Sequence, residues 1–244
     1  MEVQQLDVLL RLIIAHLLAD FVFQTDSMVQ GKRKKGIKSP HFYWHLSIVG
    51  LLSYVLLADW SNWKVPLLIV LLHGAIDWLK IKINKDNILL FAADQGLHIV
   101  SIVFVWFIFS GNSLTGIIET QDFFKLDSKH LIVCIAYIIT TLPSAILIGY
   151  LTKTWQKQLK KAKRESLTDA GKWIGVIERV LILTFIINNQ WEPIGFLLAA
   201  KSVFRFGELK NDAEEKKTEY ILIGTLMSFA FAIFTGILTH YLIK

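Results

Sequence analysis

The sequence predicts an all-α fold: a polytopic bundle of about eight transmembrane helices, forming one integral membrane domain over residues 1–244. Three observations predict it. The chain is 54% hydrophobic and 19% charged, with a mean hydropathy of +0.49, whereas about a quarter of a soluble domain is charged. The apolar residues fall in blocks of roughly 17 to 25, long enough to cross ~30 Å of hydrocarbon. The basic residues alternate from linker to linker, as orientation in a membrane requires. Together these exclude a water-soluble globular enzyme, a disordered chain and a nucleic-acid-binding module. Cys134 is the single cysteine, which excludes an intrachain disulfide and a thiolate metal site.

The blocks run at about 6–25, 41–59, 63–80, 88–109, 130–151, 173–190, 191–206 and 220–243. The first is read as a retained helix, because Asp7 and Arg11 interrupt what would be a signal's apolar region. The seventh is short and carries Lys201 and Arg205; if it does not cross, seven spans remain.

Charge supports eight. The linker after the first block holds Lys32, Arg33, Lys34, Lys35 and Lys38, and the one after the third holds Lys80, Lys82 and Lys85. The basic linker 153–172 follows the fifth block and carries seven Lys and Arg residues, and five more surround and follow the end of the seventh. These linkers hold 20 of the 26 basic residues. They are expected on the cytoplasmic side, against anionic lipid head groups, with both termini outside and the chain multi-pass in the inner membrane. Trp155, Leu159 and Ala162 share one side of a possible short surface helix in the 153–172 linker.

Ionisable groups inside spans cost about 2.5–3.5 kcal/mol each, and this chain spaces them regularly. His16 and Asp20, His73 and Asp77, and Asp94 and His98 are i, i+4 pairs, so each pair lies on one helix face. The eight-span topology puts all three pairs, His45 and Glu178 within about 15 Å of the cytoplasmic boundary. Side chains at one depth on several helices are expected to face one another inside the bundle. A weak echo, in which His16, Asp20 and His41 recur 57 residues later as His73, Asp77 and His98, suggests two related hairpins.

Imidazole and carboxylate together suit Zn, Mn or Fe, and a carboxylate-rich half suits Mg. His16, Asp20, His73, Asp77, Asp94 and His98 are the expected metal ligands, enough for one ion with second-shell partners or for two. His45, Glu178 and Arg179 are the candidate catalytic groups. Arg179, Lys201 and Arg205 are the candidate substrate-binding cations, since Arg fits phosphate through its planar fork. Gln24 and Gln95 extend the motif faces as hydrogen-bonding groups. Structural readings stand beside these: each His–Asp pair also serves as an interhelical lock, Arg179 also pairs with Glu178, and Lys201 and Arg205 also snorkel to the interface.

The runs HLLADFVFQ, HGAIDWLK and DQGLH, with the later ER, AAKSVFRF and EYILIGTLMSF, resemble an uncharacterised bacterial family of polytopic membrane proteins known only as a domain of unknown function. The resemblance extends over nearly the whole chain and implies no activity. A looser similarity is to membrane-bound metal-dependent hydrolases, on residue type and spacing alone.

The expected function is a membrane-embedded, metal-dependent hydrolase acting at the cytoplasmic leaflet on a phosphate or pyrophosphate ester, including one carried on a lipid. Its expected partners are the bilayer and a small phosphorylated or lipid substrate, not nucleic acid. Two rivals use the same residues differently: an ion or proton-coupled transporter or channel, and a non-catalytic scaffold or sensor with structural His–Asp pairs.

Overall fold

The computed structural model describes residues 3–110, 126–159, 170–206 and 212–244. Among the described residues every regular element is a helix. The elements run α1 (Val3–Leu17), a π-helical turn (Leu18–Val22), α2 (Asp26–Lys35), a 3-10 turn (Gly36–Lys38), α3 (Pro40–Leu57), α4 (Lys64–Ile83) and α5 (Ile88–Ser110). They continue as α6 (Ser128–Thr140), α7 (Leu142–Leu151), α8 (Lys153–Leu159), α9 (Ala170–Ile187), α10 (Glu192–Phe206) and α11 (Asp212–Ile243). Each of the eight apolar blocks is helical. The Trp155 stretch of the basic linker forms α8; Ala162 and the rest of 160–169 lie outside the described residues.

Packing divides the chain into two units, Met1–Ile135 and Ala136–Lys244. In the first, α1 packs on α3 and α5, and α4 packs on the same two helices, closing a four-helix ring. Its apolar core includes Val8, Leu12, Val49, Leu57, Val65, Ile69, Ile102 and Val105. The first block is not one continuous α-helix. At its end the Phe23 N–H donates to the Leu18 carbonyl, five residues back, at 2.9 Å. Such a π turn inserts a residue and changes which way the following side chains face; Asp20 lies inside it.

Polar α2 follows. The Thr25 Oγ1 caps it by accepting the Met28 N–H at 3.4 Å. It stops at Gly36, whose φ of +60° is poorly tolerated by a residue with a Cβ. Pro40 then starts α3, where its missing N–H leaves no bond unmade. The result is a short helix laid against α3 rather than a solvated linker.

In the second unit α9 packs along α11 around Ile182, Ile186, Phe229 and Ala232. Gly236 permits the close approach: a Cβ there would lie 2.7 Å from Ile186 Cδ1. The fifth block is broken between α6 and α7, with a bend of 41°. The sequence reading took it as one span. Pro143, in the first turn of α7, supplies no N–H to the preceding turn, and the break falls at Thr141.

By length and composition, two helical stretches are able to cross a membrane: Ile88–Phe109 and Thr218–Ile243. The bent pair α6 and α7 makes a third if it is one span. This is fewer than the eight read from the sequence. The physical reason is visible in the others: α1 and α10 have 15 residues each, and α4 carries Lys64, Asp77, Lys80 and Lys82 within its length. The apolar surface of α5 is nonetheless open, with Leu89 78% and Phe107 72% exposed.

Candidate metal centre

The ring of the first unit carries the polar residues. α1 provides His16 and the π turn provides Asp20; α3 provides His45, α4 provides His73 and Asp77, and α5 provides Asp94 and His98. None of these seven side chains is more than 7% exposed. They meet. The His73 and His98 ring centroids are 4.1 Å apart, His45 and His73 5.0 Å, and His16 and His98 5.0 Å with the rings stacked.

The tightest part is a triangle. Asp20 Oδ1 lies 3.4 Å from His45 Nε2 and 3.4 Å from His73 Nε2, and those two nitrogens are 2.9 Å apart. Ligands held about 2.0–2.2 Å from one ion, at tetrahedral or octahedral angles, stand about 3–3.5 Å from each other. The triangle therefore fits three ligands on one face of an ion. Without an ion, His45 and His73 can share a proton, and Asp20 Oδ1, 3.4 Å from both nitrogens, receives no well-aligned bond from either.

Three more buried atoms of this cluster are unpartnered: His16 Nδ1, Asp94 Oδ1 and His98 Nε2. The surrounding bonds define what they are. His98 Nδ1 lies 2.8 Å from the Asp94 carbonyl, which only accepts, so Nδ1 carries the proton and Nε2 presents a lone pair. His16 Nε2 lies 3.3 Å from Gln95 Oε1, which likewise leaves a lone pair on Nδ1. Gln95 is fixed in that orientation because its Nε2 donates to Asp94 Oδ2 at 3.0 Å and Asp20 Oδ2 at 3.4 Å. All four unpartnered atoms are thus acceptors. A buried group without a partner carries a desolvation cost of about 1–3 kcal/mol, more when charged; a cation is the partner that buried acceptors of this kind can take, and His16, Asp20 and His73, like Asp77, Asp94 and His98, place ligand atoms within 4.8 Å of one another.

Two lysines that the sequence reading assigned to topology take part. Lys32, from α2, is buried and donates to Asp77 Oδ2 at 2.6 Å. Lys80, one turn after Asp77, donates to Asp94 Oδ2 at 2.5 Å. Three carboxylates thus face two ammonium groups, leaving one formal negative charge among four imidazoles. Gln24 Nε2 lies 3.1 and 3.0 Å from the two ring nitrogens of His45. The sequence signal for Lys32 was faint but present: Met28 and Lys32 are four apart on an otherwise polar helix, and both are buried.

The other candidates lie in the second unit. Glu178 accepts from Lys201 Nζ at 2.5 Å rather than pairing with its neighbour Arg179. Arg179 donates through Nε to the Thr140 carbonyl (2.7 Å), through Nη2 to the Thr141 carbonyl (3.0 Å) and through Nη1 to Ser228 Oγ (2.9 Å). It caps the carbonyls at the α6–α7 break. The Arg205 side chain lies outside the described ones. His130, exposed at the start of α6, pairs with Asp127 at 2.6 Å.

Residues 8–125 match the family described as protein of unknown function DUF3307. The matched segment contains all three His–Asp pairs, His45 and both lysines. It stops before Glu178 and the later runs, so the nearly complete coverage implied by the resemblance narrows to this segment. No curated protein matches the chain, and no solved structure does.

Proposed function

We propose that this chain is a multi-pass membrane protein that holds a divalent metal ion on Asp20, His45 and His73, and uses it to hydrolyse a phosphate or pyrophosphate ester at the cytoplasmic leaflet. In this proposal all eight helical blocks cross, with the basic linkers inside and both termini outside. The short α1 crosses with its polar residues turned into the ring, where lipid does not meet them. The observation that carries the reading is the buried triangle of Asp20 Oδ1, His45 Nε2 and His73 Nε2, with three more unpartnered acceptors in the same cluster.

The donor set suits Zn, Mn or Fe. When bound, such an ion acidifies a water and polarises a phosphoryl oxygen. The protein's own groups do the rest. Gln95 orients His16, Asp20 and Asp94 through its amide, as second-shell partners do at metal sites. His45, read from the sequence as an acid or base, belongs to the ligand triangle. Lys32 and Lys80 supply positive charge beside the ligands, the role first expected of Arg179, Lys201 and Arg205. Arg179 is instead a positioning residue for the broken helix.

A transport reading is favoured by one observation, the break at Thr141 between α6 and α7, since discontinuous helices mark ion paths in transporters. The hydrolase reading is tested on protein extracted in mild detergent. About one ion per chain is expected, with phosphate release from a pyrophosphate lipid that a chelator stops and the metal restores. Protein that holds no ion at any pH tested would falsify it; metal-dependent flux into proteoliposomes without phosphate release would replace it with transport.

A further inference from the structure

The polar cluster has two halves. One is the Asp20–His45–His73 triangle. In the other, ligand atoms of Asp77, Asp94 and His98 lie within 4.8 Å of one another. Two acceptors of this second half have no donor, Asp94 Oδ1 and His98 Nε2, and both residues are at least nine-tenths buried. The His98 lone pair is held there by the Nδ1 bond to the Asp94 carbonyl. Asp77 Oδ2 accepts from the Lys32 ammonium, and Asp94 Oδ2 accepts from the Lys80 ammonium and the Gln95 amide.

The two lysines are unequal. The Lys80 side chain is 42% exposed, so water shares in solvating it. The Lys32 side chain is 7% exposed and sits beside a carboxylate that is 5% exposed. Burying an ammonium carries a desolvation cost of several kcal/mol, offset only by a close, well-bonded partner. The chain places it there by packing: Gly31 lies so close to the His41 ring that a Cβ would collide with it, and Met28, one turn earlier, is buried beneath the same helix.

We infer that Asp77, Asp94 and His98 form a second divalent-cation site, which Lys32 holds closed by occupying Asp77 in place of the ion. The inference rests on the cluster being a metal centre. Its ligand set, two carboxylates and one imidazole, is harder than the first and selects Mn or Mg over a softer ion. When α2 lifts from α3, Asp77 becomes free and the site accepts its cation; when α2 docks, the ammonium returns. One helix thereby sets whether the centre holds one ion or two.

The test is Mn(II) titration of the full-length, detergent-purified chain, with bound metal counted and its electron paramagnetic resonance spectrum recorded. The wild-type chain is expected to hold one ion, with an isolated-ion spectrum. Lys32→Met should bind a second, with an affinity gain of about tenfold or more and the broadened spectrum of two neighbouring ions. Gly31→Ala keeps Lys32 and sets a methyl against the His41 ring, so that either the ring or α2 must shift; a shift of α2 should show the same gain by an independent route. Adding Asp94→Asn to Lys32→Met should return the count to one. The inference alone is overturned if Lys32→Met, folded as judged by helicity and elution, still binds one ion, or if the second ion survives Asp94→Asn. A wild-type chain with no ion overturns both this and the metal reading beneath it.

Discussion

The two units bury similar chemistry and treat it differently. In the second, Arg179 donates to three acceptors, Glu178 has Lys201, Thr140 and Thr225 bond to carbonyls of their own helices, and Ser144 bonds across the break to the Thr140 carbonyl. Among its described residues only His240 Nδ1 is buried without a partner, near the end of α11. In the first unit five buried atoms of the described residues lack a partner: Ser39 Oγ and four acceptors of the His–Asp cluster. Buried polar groups in proteins are nearly always paired. A fully paired network locks helices together; a network short of donors is waiting for something positive. In the function proposed above, that difference makes the second unit architecture and the first a site.

The contrast breaks most sharply through the ligands. His73→Ala or Asp20→Asn should abolish tight metal binding, a loss beyond the about 100-fold that an outer-shell change causes, while helicity and elution in detergent stay unchanged. Metal content measured on the purified variants decides it, and an unaltered content would make the first unit as structural as the second. Arg179→Ala should do the reverse. It removes three charged hydrogen bonds at the α6–α7 break, and a destabilisation of about 3 kcal/mol or more is expected, read as a lower unfolding midpoint with metal content intact.

Smaller effects sharpen the same line. Gln95→Ala should weaken metal binding by about 10–100-fold, and the loss of its bonds to His16, Asp20 and Asp94 should cost about 1–3 kcal/mol of stability. Gly236→Ala places a methyl 2.7 Å from Ile186 Cδ1 and should destabilise the second unit by about 1–3 kcal/mol through overpacking, again leaving metal bound. The smallest effect is at the surface. Asp127 accepts the His130 backbone N–H at 3.0 Å and its side chain at 2.6 Å, and these bonds hold its carboxyl below the usual carboxylate range. Its folded pKa is depressed, so the contribution is present above the unfolded carboxylate pKa and fades as pH falls through the folded value. Acid titration of Asp127→Asn against the parent should show a slightly shallower loss of stability, confined to that acid range.

Much of the frame was legible because it is set by local periodicity. Apolar blocks of span length became helices, and the i, i+4 spacing put His16 within 3.8 Å of Asp20 and His98 within 3.9 Å of Asp94. What was not legible depends on a one-residue shift or on distant packing. The π turn that carries Asp20 needs only the Phe23 N–H to reach back five residues, and no residue type announces that. Lys32 reads as one of five basic residues in a linker until α2 is seen docked by Gly31 on His41. The Glu178–Lys201 pair joins α9 to α10, whereas adjacency in sequence favoured Glu178 with Arg179. The break at Thr141 had its signal in Pro143, which an apolar-length argument passes over.

X-ray absorption at the edge of the metal retained by the detergent-purified chain tests the donor-starved cluster most directly. The expected shell is nitrogen and oxygen at about 2.0–2.2 Å, with the multiple scattering of at least two imidazoles, reduced in His45→Ala and His73→Ala. A chain without a metal edge, or a shell indifferent to both substitutions, would contradict it.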